Sequence, residues 1–176
     1  MLIAAGVCFA LHALVAMIDG AYFHLYKYKL HTRPESIVEH FTHTLRAGTM
    51  TLSAVLLFAI NAGGLLLWAA FVLIGIDLGV ETWDVLIERR SRASLGGLSS
   101  AEYLSHAHAI LLYAAAYALV LAAKPAGAFA SDAPLVLPEP YPAPIVWLGW
   151  VVAVGALLST IQHVVYLHPR YRRSAR

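Results

Sequence analysis

Cysteine is nearly absent, since Cys8 is the only one. That excludes a disulfide within the chain and any zinc site built on thiolates. Cys8 itself lies in an apolar run and reads as a small buried hydrophobe. Charge is scarce too. Asp, Glu, Lys and Arg make up 12% of the 176 residues, against ~25% in a soluble domain. Hydrophobic residues reach 60% and mean hydropathy is +0.71. Composition therefore predicts an integral membrane protein. The net charge of +2 gives no reason to expect a nucleic-acid partner. No basic segment precedes the first apolar run, which continues into IDGAYFHLYKYK, so a retained membrane helix is expected rather than a cleaved leader. Repeats, low-complexity tracts and a second domain are also missing, so residues 1–176 read as one transmembrane helical domain.

Four apolar runs are present: Leu2–Ile18, Ala47–Ile76, Leu104–Ala123 and Ile145–Leu167. About 20 residues cross a bilayer. The second run is too long for one crossing, and its middle, Asn61-Ala62-Gly63-Gly64, is a turn signal. Splitting it there predicts an all-α bundle of about five transmembrane helices, near 2–28, 36–62, 64–90, 100–124 and 143–168. One long kinked second helix is the alternative. Basic residues decide between them. With five helices, Lys27, Lys29, Arg33, Arg46, Arg89, Arg90, Arg92, Arg170, Arg172, Arg173 and Arg176 share one side, and only Lys124 lies opposite. The N-terminus is then outside and the C-terminus cytoplasmic, as in a bacterial-type inner or plasma membrane. All of the eight prolines except Pro34 and Pro169 fall at 125–144, which predicts an extended loop or lid over the outer face.

Placing polar residues along these helices at about 1.5 Å per residue brings Asp19, His43, Glu81, His106 and His163 to one depth, roughly 25–28 Å from the outer end. Each helix contributes one side chain able to bind metal. Glu39, His40 and His108 flank that layer, as do Asp77, Asp84, Glu102 and His24. Ionisable groups at such depth cost on the order of 2.5–3.5 kcal/mol each and persist when they pair or bind something. Arg46 is the only base expected near the layer, the others snorkelling from loops and tail. A surplus of carboxylates with several imidazoles is what a polyvalent cation compensates.

Individual motifs sharpen this. In IDLGVETWDVLIERR, Asp77, Glu81, Asp84 and Glu88 fall at i, i+4, i+7 and i+11, on one helix face. Glu81 and Asp84 are expected to bind metal, and Asp77 with Asp84 to handle protons. Glu88, beside Arg89 and Arg90, is expected in water. SIVEHFTH sets Glu39 and His43 at i, i+4, with His40 between them. SSAEYLSH repeats the spacing with Glu102 and His106. Both glutamates also complete capping boxes, with Ser36 and Ser99, which is the competing role for each. The expected ligands are thus Asp19, Glu39, His43, Glu81, Asp84, Glu102, His106 and His163. His24, His40, His108 and Tyr166 are expected behind them. His12 is expected only to pack, and Tyr22, Tyr26, Tyr28 and Tyr103 to form an interfacial belt.

Mixed imidazole and carboxylate ligation suits iron, manganese or zinc. More candidates exist than one ion needs, which favours two irons, as in the carboxylate centres of helical bundles. In residue type and depth the layer resembles the histidine-rich membrane desaturases and hydroxylases. Their HxxHH boxes are absent, the nearest pieces being His40-Phe-Thr-His43 and His106-Ala-His108. The expected function is a dinuclear oxidoreductase acting at the cytoplasmic leaflet on a lipid, isoprenoid or quinone-like substrate. A zinc hydrolase of lipid amides or headgroups, a metal or proton transporter and a haem protein are the alternatives. A crowd of carboxylates makes a poor haem pocket.

Overall fold

A computed structural model describes residues 1–168 and 171. The basic tail at Arg170, Arg172, Arg173 and Arg176 lies outside the described residues. Those described are helical, without a strand. α1 spans Leu2–Ile18 and runs on to Lys27 as a widened π-helix over Asp19–Lys27. α2 spans Ile37–Ala54, with a second π turn at Val55–Ala59. α3 covers Gly64–Ser91, α4 Ser100–Ala122 and α5 Ala143–Leu167. The long apolar run at 47–76 is therefore two helices, as its turn signal implies, and not one kinked rod.

Four helices are long and apolar enough to cross a membrane: Leu2–Lys27, Gly64–Ser91, Ser100–Ala122 and Ala143–Leu167. This fits an integral membrane protein. α2 is the exception, being threaded with Glu39, His40, Thr42, His43, Arg46 and Thr49. It packs between α3 and α5, while α1 packs on α4. Buried side chains from all five helices join one apolar core around Phe9, Phe58, Leu67, Tyr117 and Val152. Phe9 lies flat on Phe58, with centroids 4.0 Å apart. Gly149 lets α5 touch the α2 backbone, since a Cβ there would sit 2.7 Å from the Ala59 nitrogen. Outward faces carry Ile3, Val7, Leu111, Val151 and Leu158, all exposed, as lipid-facing surfaces should be.

The turn between α2 and α3 needs left-handed backbone at Asn61 (φ 47°) and Gly64 (φ 50°), which these residue types tolerate. The proline-rich loop docks there. Leu137 N donates to Asn61 O (3.1 Å), Gly63 N to Leu135 O (3.0 Å) and Asn61 Nδ2 to Glu139 O (2.7 Å). A Cβ on Gly63 would stand 2.6 Å from Pro134 O, so the loop lies on bare backbone. Lys124 is buried beneath it, donating to Asn61 Oδ1 (2.9 Å) and Ala62 O (2.7 Å). Burial alone pulls its pKa down to about 8.

Candidate metal centre

At the opposite end of the bundle, α3 stops at Ser91. Gly96 and Gly97, both at positive φ, turn the chain back towards α4. Ser99 accepts from Glu102 N (3.3 Å) to start that helix. This tight reversal folds Arg92 inward, and its side chain is fully buried. Its fork grips two carboxylates. Nη1 and Nη2 donate to Glu39 Oε2 and Oε1 (2.7 and 2.9 Å), and Nε and Nη2 donate to Glu102 Oε1 (3.0 and 2.6 Å). Ser91 Oγ adds a bond to Glu39 Oε2 (2.6 Å). Burial opposes the guanidinium charge, but the bonds and charge of Glu39, then of Glu102, outweigh it and raise its pKa. Planar bidentate pairing of this kind is what arginine supplies and lysine does not.

Two expectations fail here. Arg46 is not the only base in the layer, because the short Arg92–Ser99 connection leaves Arg92 no route to water. Glu88 is not solvated: it is buried, with Oε1 3.0 Å from His106 Nδ1 and 4.0 Å from Arg92 Nη2. The capping alternative for Glu39 also fails. Ser36 makes no side-chain cap, and the Glu39 carboxylate turns to Arg92 instead. Ser99 caps the backbone N–H of Glu102, while the Glu102 carboxylate is held by Arg92 rather than by the helix start.

Around this pair the structure gathers three sets of side chains able to share a cation. They are Asp19–His24–His106, His24–Glu39–His43 and Glu88–Glu102–His106, each with its ligand atoms within 4.8 Å of one another. The second and third sets have no residue in common. Asp19 stands between them, with Oδ2 3.3 Å from His24 Nε2 and 3.1 Å from His106 Nε2. The π segment makes this arrangement. Asp19 and His24 are five residues apart, which in an α-helix points them to different faces. The i→i+5 winding, seen in Tyr28 N donating to Phe23 O (2.9 Å), stacks them on one face. Such turns are frequent at functional sites.

Other expected ligands form a neighbouring cluster. Arg46 pairs with Glu81 and lies 3.8 Å from Asp84 Oδ2 and 3.9 Å from Asp77 Oδ1. Asp84 also bonds Thr42, and its Oδ2 lies 3.1 Å from His43 Nε2. Thr49 donates to Asp77 Oδ1 (2.8 Å). Glu81, Asp84 and His163 thus stand outside the three sets, with Asp84 directly behind His43. His163 Nδ1 lies 3.1 Å from His40 Nδ1, and its ring stands edge-on to His43 at 5.3 Å. Tyr166 packs on His40, also at 5.3 Å, and His31 stacks on Tyr166 at 5.4 Å. In that loop, burial and then the charge of Lys29 lower the His31 pKa.

His12 and His108 lie outside these clusters. His12 is buried with Nδ1 on Ala109 O (2.9 Å), the packing role expected of it. His108 points away from the centre to the exposed side of α4, where Nδ1 meets Leu104 O (2.6 Å). Sequence reasoning placed His24 behind the ligands and Glu88 in water, and the structure brings both into the candidate sets. Comparison with protein-family models, with curated proteins and with solved structures finds no match for this chain.

Proposed function

We propose that this chain is a membrane-embedded dinuclear metalloprotein that performs redox chemistry on a lipid, isoprenoid or quinone-like substrate. One observation carries the reading. Two ligand sets with no residue in common, His24–Glu39–His43 and Glu88–Glu102–His106, lie side by side with Asp19 between them. His24, Glu39 and His43 would hold one ion and Glu88, Glu102 and His106 the other, with Asp19 as a further carboxylate beside His24 and His106. Nitrogen and oxygen ligation without thiolate favours iron, with manganese or zinc as substitutes. A pair of irons would supply activation of dioxygen. Arg92 fixes Glu39 and Glu102 in place, an outer-shell role that tunes metal sites. Asp84 lies behind His43 and Asp77 beyond Arg46, where each can accept or return a proton. The weight of basic residues at this end supports a centre on the cytoplasmic side.

Purified protein should carry about two transition-metal ions per chain by elemental analysis. His24→Ala and His106→Ala should each reduce that content. Protein that stays metal-free after iron, manganese and zinc are all offered sinks the reading. A zinc-dependent hydrolase is the second reading. It is supported by the three-ligand set His24–Glu39–His43, which leaves a fourth position for water. Zinc alone, with a colourless protein, would select it.

A further inference from the structure

His108 is a misfit. It sits within a span whose outward neighbours, Leu104 and Leu111, are exposed and apolar, yet it too is exposed. A polar ring facing hydrocarbon is costly unless something answers it. Its Nδ1 meets a carbonyl oxygen, which only accepts, so Nδ1 carries the proton. That leaves Nε2 as the ring nitrogen available to a partner. Beside it, between α1 and α4, runs a groove of about 290 Å³ lined by Val15, Ile18, Phe23, Leu104, Ser105 and His108. Its wall is almost wholly apolar. Ile18, Phe23 and Ser105 are the chain neighbours of Asp19, His24 and His106. The groove therefore runs along the same stretches of α1 and α4 that carry the Asp19–His24–His106 set.

We propose that this groove binds the hydrocarbon chain of a long-chain alcohol, whose hydroxyl donates to His108 Nε2. The occupant follows from what the walls offer. An apolar trough open to lipid takes an alkyl or isoprenyl chain, and a lone acceptor at its edge takes an O–H donor rather than an ester or ether. A charged headgroup finds no counter-ion in the lining. The site deepens the proposed function, resting on that reading only for the identity of the centre it approaches. Substrate enters sideways from the bilayer, between α1 and α4, rather than from water along the bundle axis.

The test uses the full chain in nanodiscs with a diazirine-bearing long-chain alcohol, and with the matching methyl ether, which accepts but cannot donate. After photolysis, labelled peptides are mapped by mass spectrometry. Labelling by the alcohol should concentrate on Val15–Phe23 and Leu104–His108 and exceed that by the ether several-fold. One hydrogen bond accounts for a ratio of about five. His108→Leu should drop the alcohol to the ether's level, and His108→Gln, which keeps an acceptor, should restore part of it. Val15→Trp should block both probes by filling the groove with His108 intact. Equal labelling by alcohol and ether overturns the proposal. So does labelling of the Trp147–Leu158 face of α5 as strong as that of the groove. Metal content is measured on the same samples. Metal-free protein that keeps this labelling pattern sustains the groove while removing the dinuclear reading. Metal-loaded protein without the pattern removes the groove alone.

Discussion

At the loop end of the bundle, Phe9 lies flat on Phe58, Gly149 brings two backbones together, and one buried lysine is answered by an amide and a carbonyl. At the other end, Arg92 and Arg46 stand among Glu39, Asp77, Glu81, Asp84, Glu88 and Glu102, with five histidines interleaved. Both ends hold the same helices. The first does so by shape, where each contact is small and the loss of one leaves the rest. The second does so by charge, where removing one partner strands the others in a medium that cannot solvate them. The three sets of side chains able to share a cation lie at the second end, so under the proposed function assembly and metal binding would draw on the same residues there.

Arg92→Met is the strongest way to break that contrast. It leaves Glu39 and Glu102 buried without their cation, which costs on the order of 3–5 kcal/mol. Thermal unfolding in detergent should show a large fall in Tm. Metal content should fall with it, because Glu39 and Glu102 lose the group that holds them in position. Gly149→Leu tests the other end. Overpacking against the Ala59 backbone should cost about 1–3 kcal/mol, again read as Tm. It should leave metal content unchanged, and a loss of metal would show that the two ends are not independent.

The smallest effect concerns Lys124. Its pKa, about 8 when buried, lies below the ordinary value of 10.5. Between those values the unfolded chain binds the extra proton, so stability should rise with pH from about 8 upward and show no such slope below. Hydrogen exchange at Asn61–Gly64 and Leu135–Glu139, corrected for intrinsic rates, should slow accordingly. Lys124→Met should abolish the trend.

Helix limits were legible in the sequence because hydropathy and turn residues act locally. Asn61 and Gly64 mark the α2–α3 break as plainly in sequence as in space. The polar layer was legible too, since depth follows from counting residues. Direction around each helix axis was harder to read. Depth puts Glu81 and His106 level, but only packing shows that Glu81 serves Arg46 while His106 meets Asp19 and Glu88. Arg92 reads as a loop arginine among Arg89 and Arg90. Its burial depends on a reversal at Gly96 and Gly97 too tight to let it out. His24 escaped because α-helical spacing was assumed across a segment that winds as a π-helix.

That winding also sets what lengths of chain the centre tolerates. Asp19 and His24 share a face only because five residues close one wide turn. Deleting Gly20, whose Cβ position meets open space, would put the same two side chains at i, i+4, which an ordinary α-helix also brings together. Adding a residue would leave them on no common face in either winding. The first helix is thus built to survive shortening at that point and not lengthening, an asymmetry that a library of single-residue insertions and deletions would read directly as metal retained or lost.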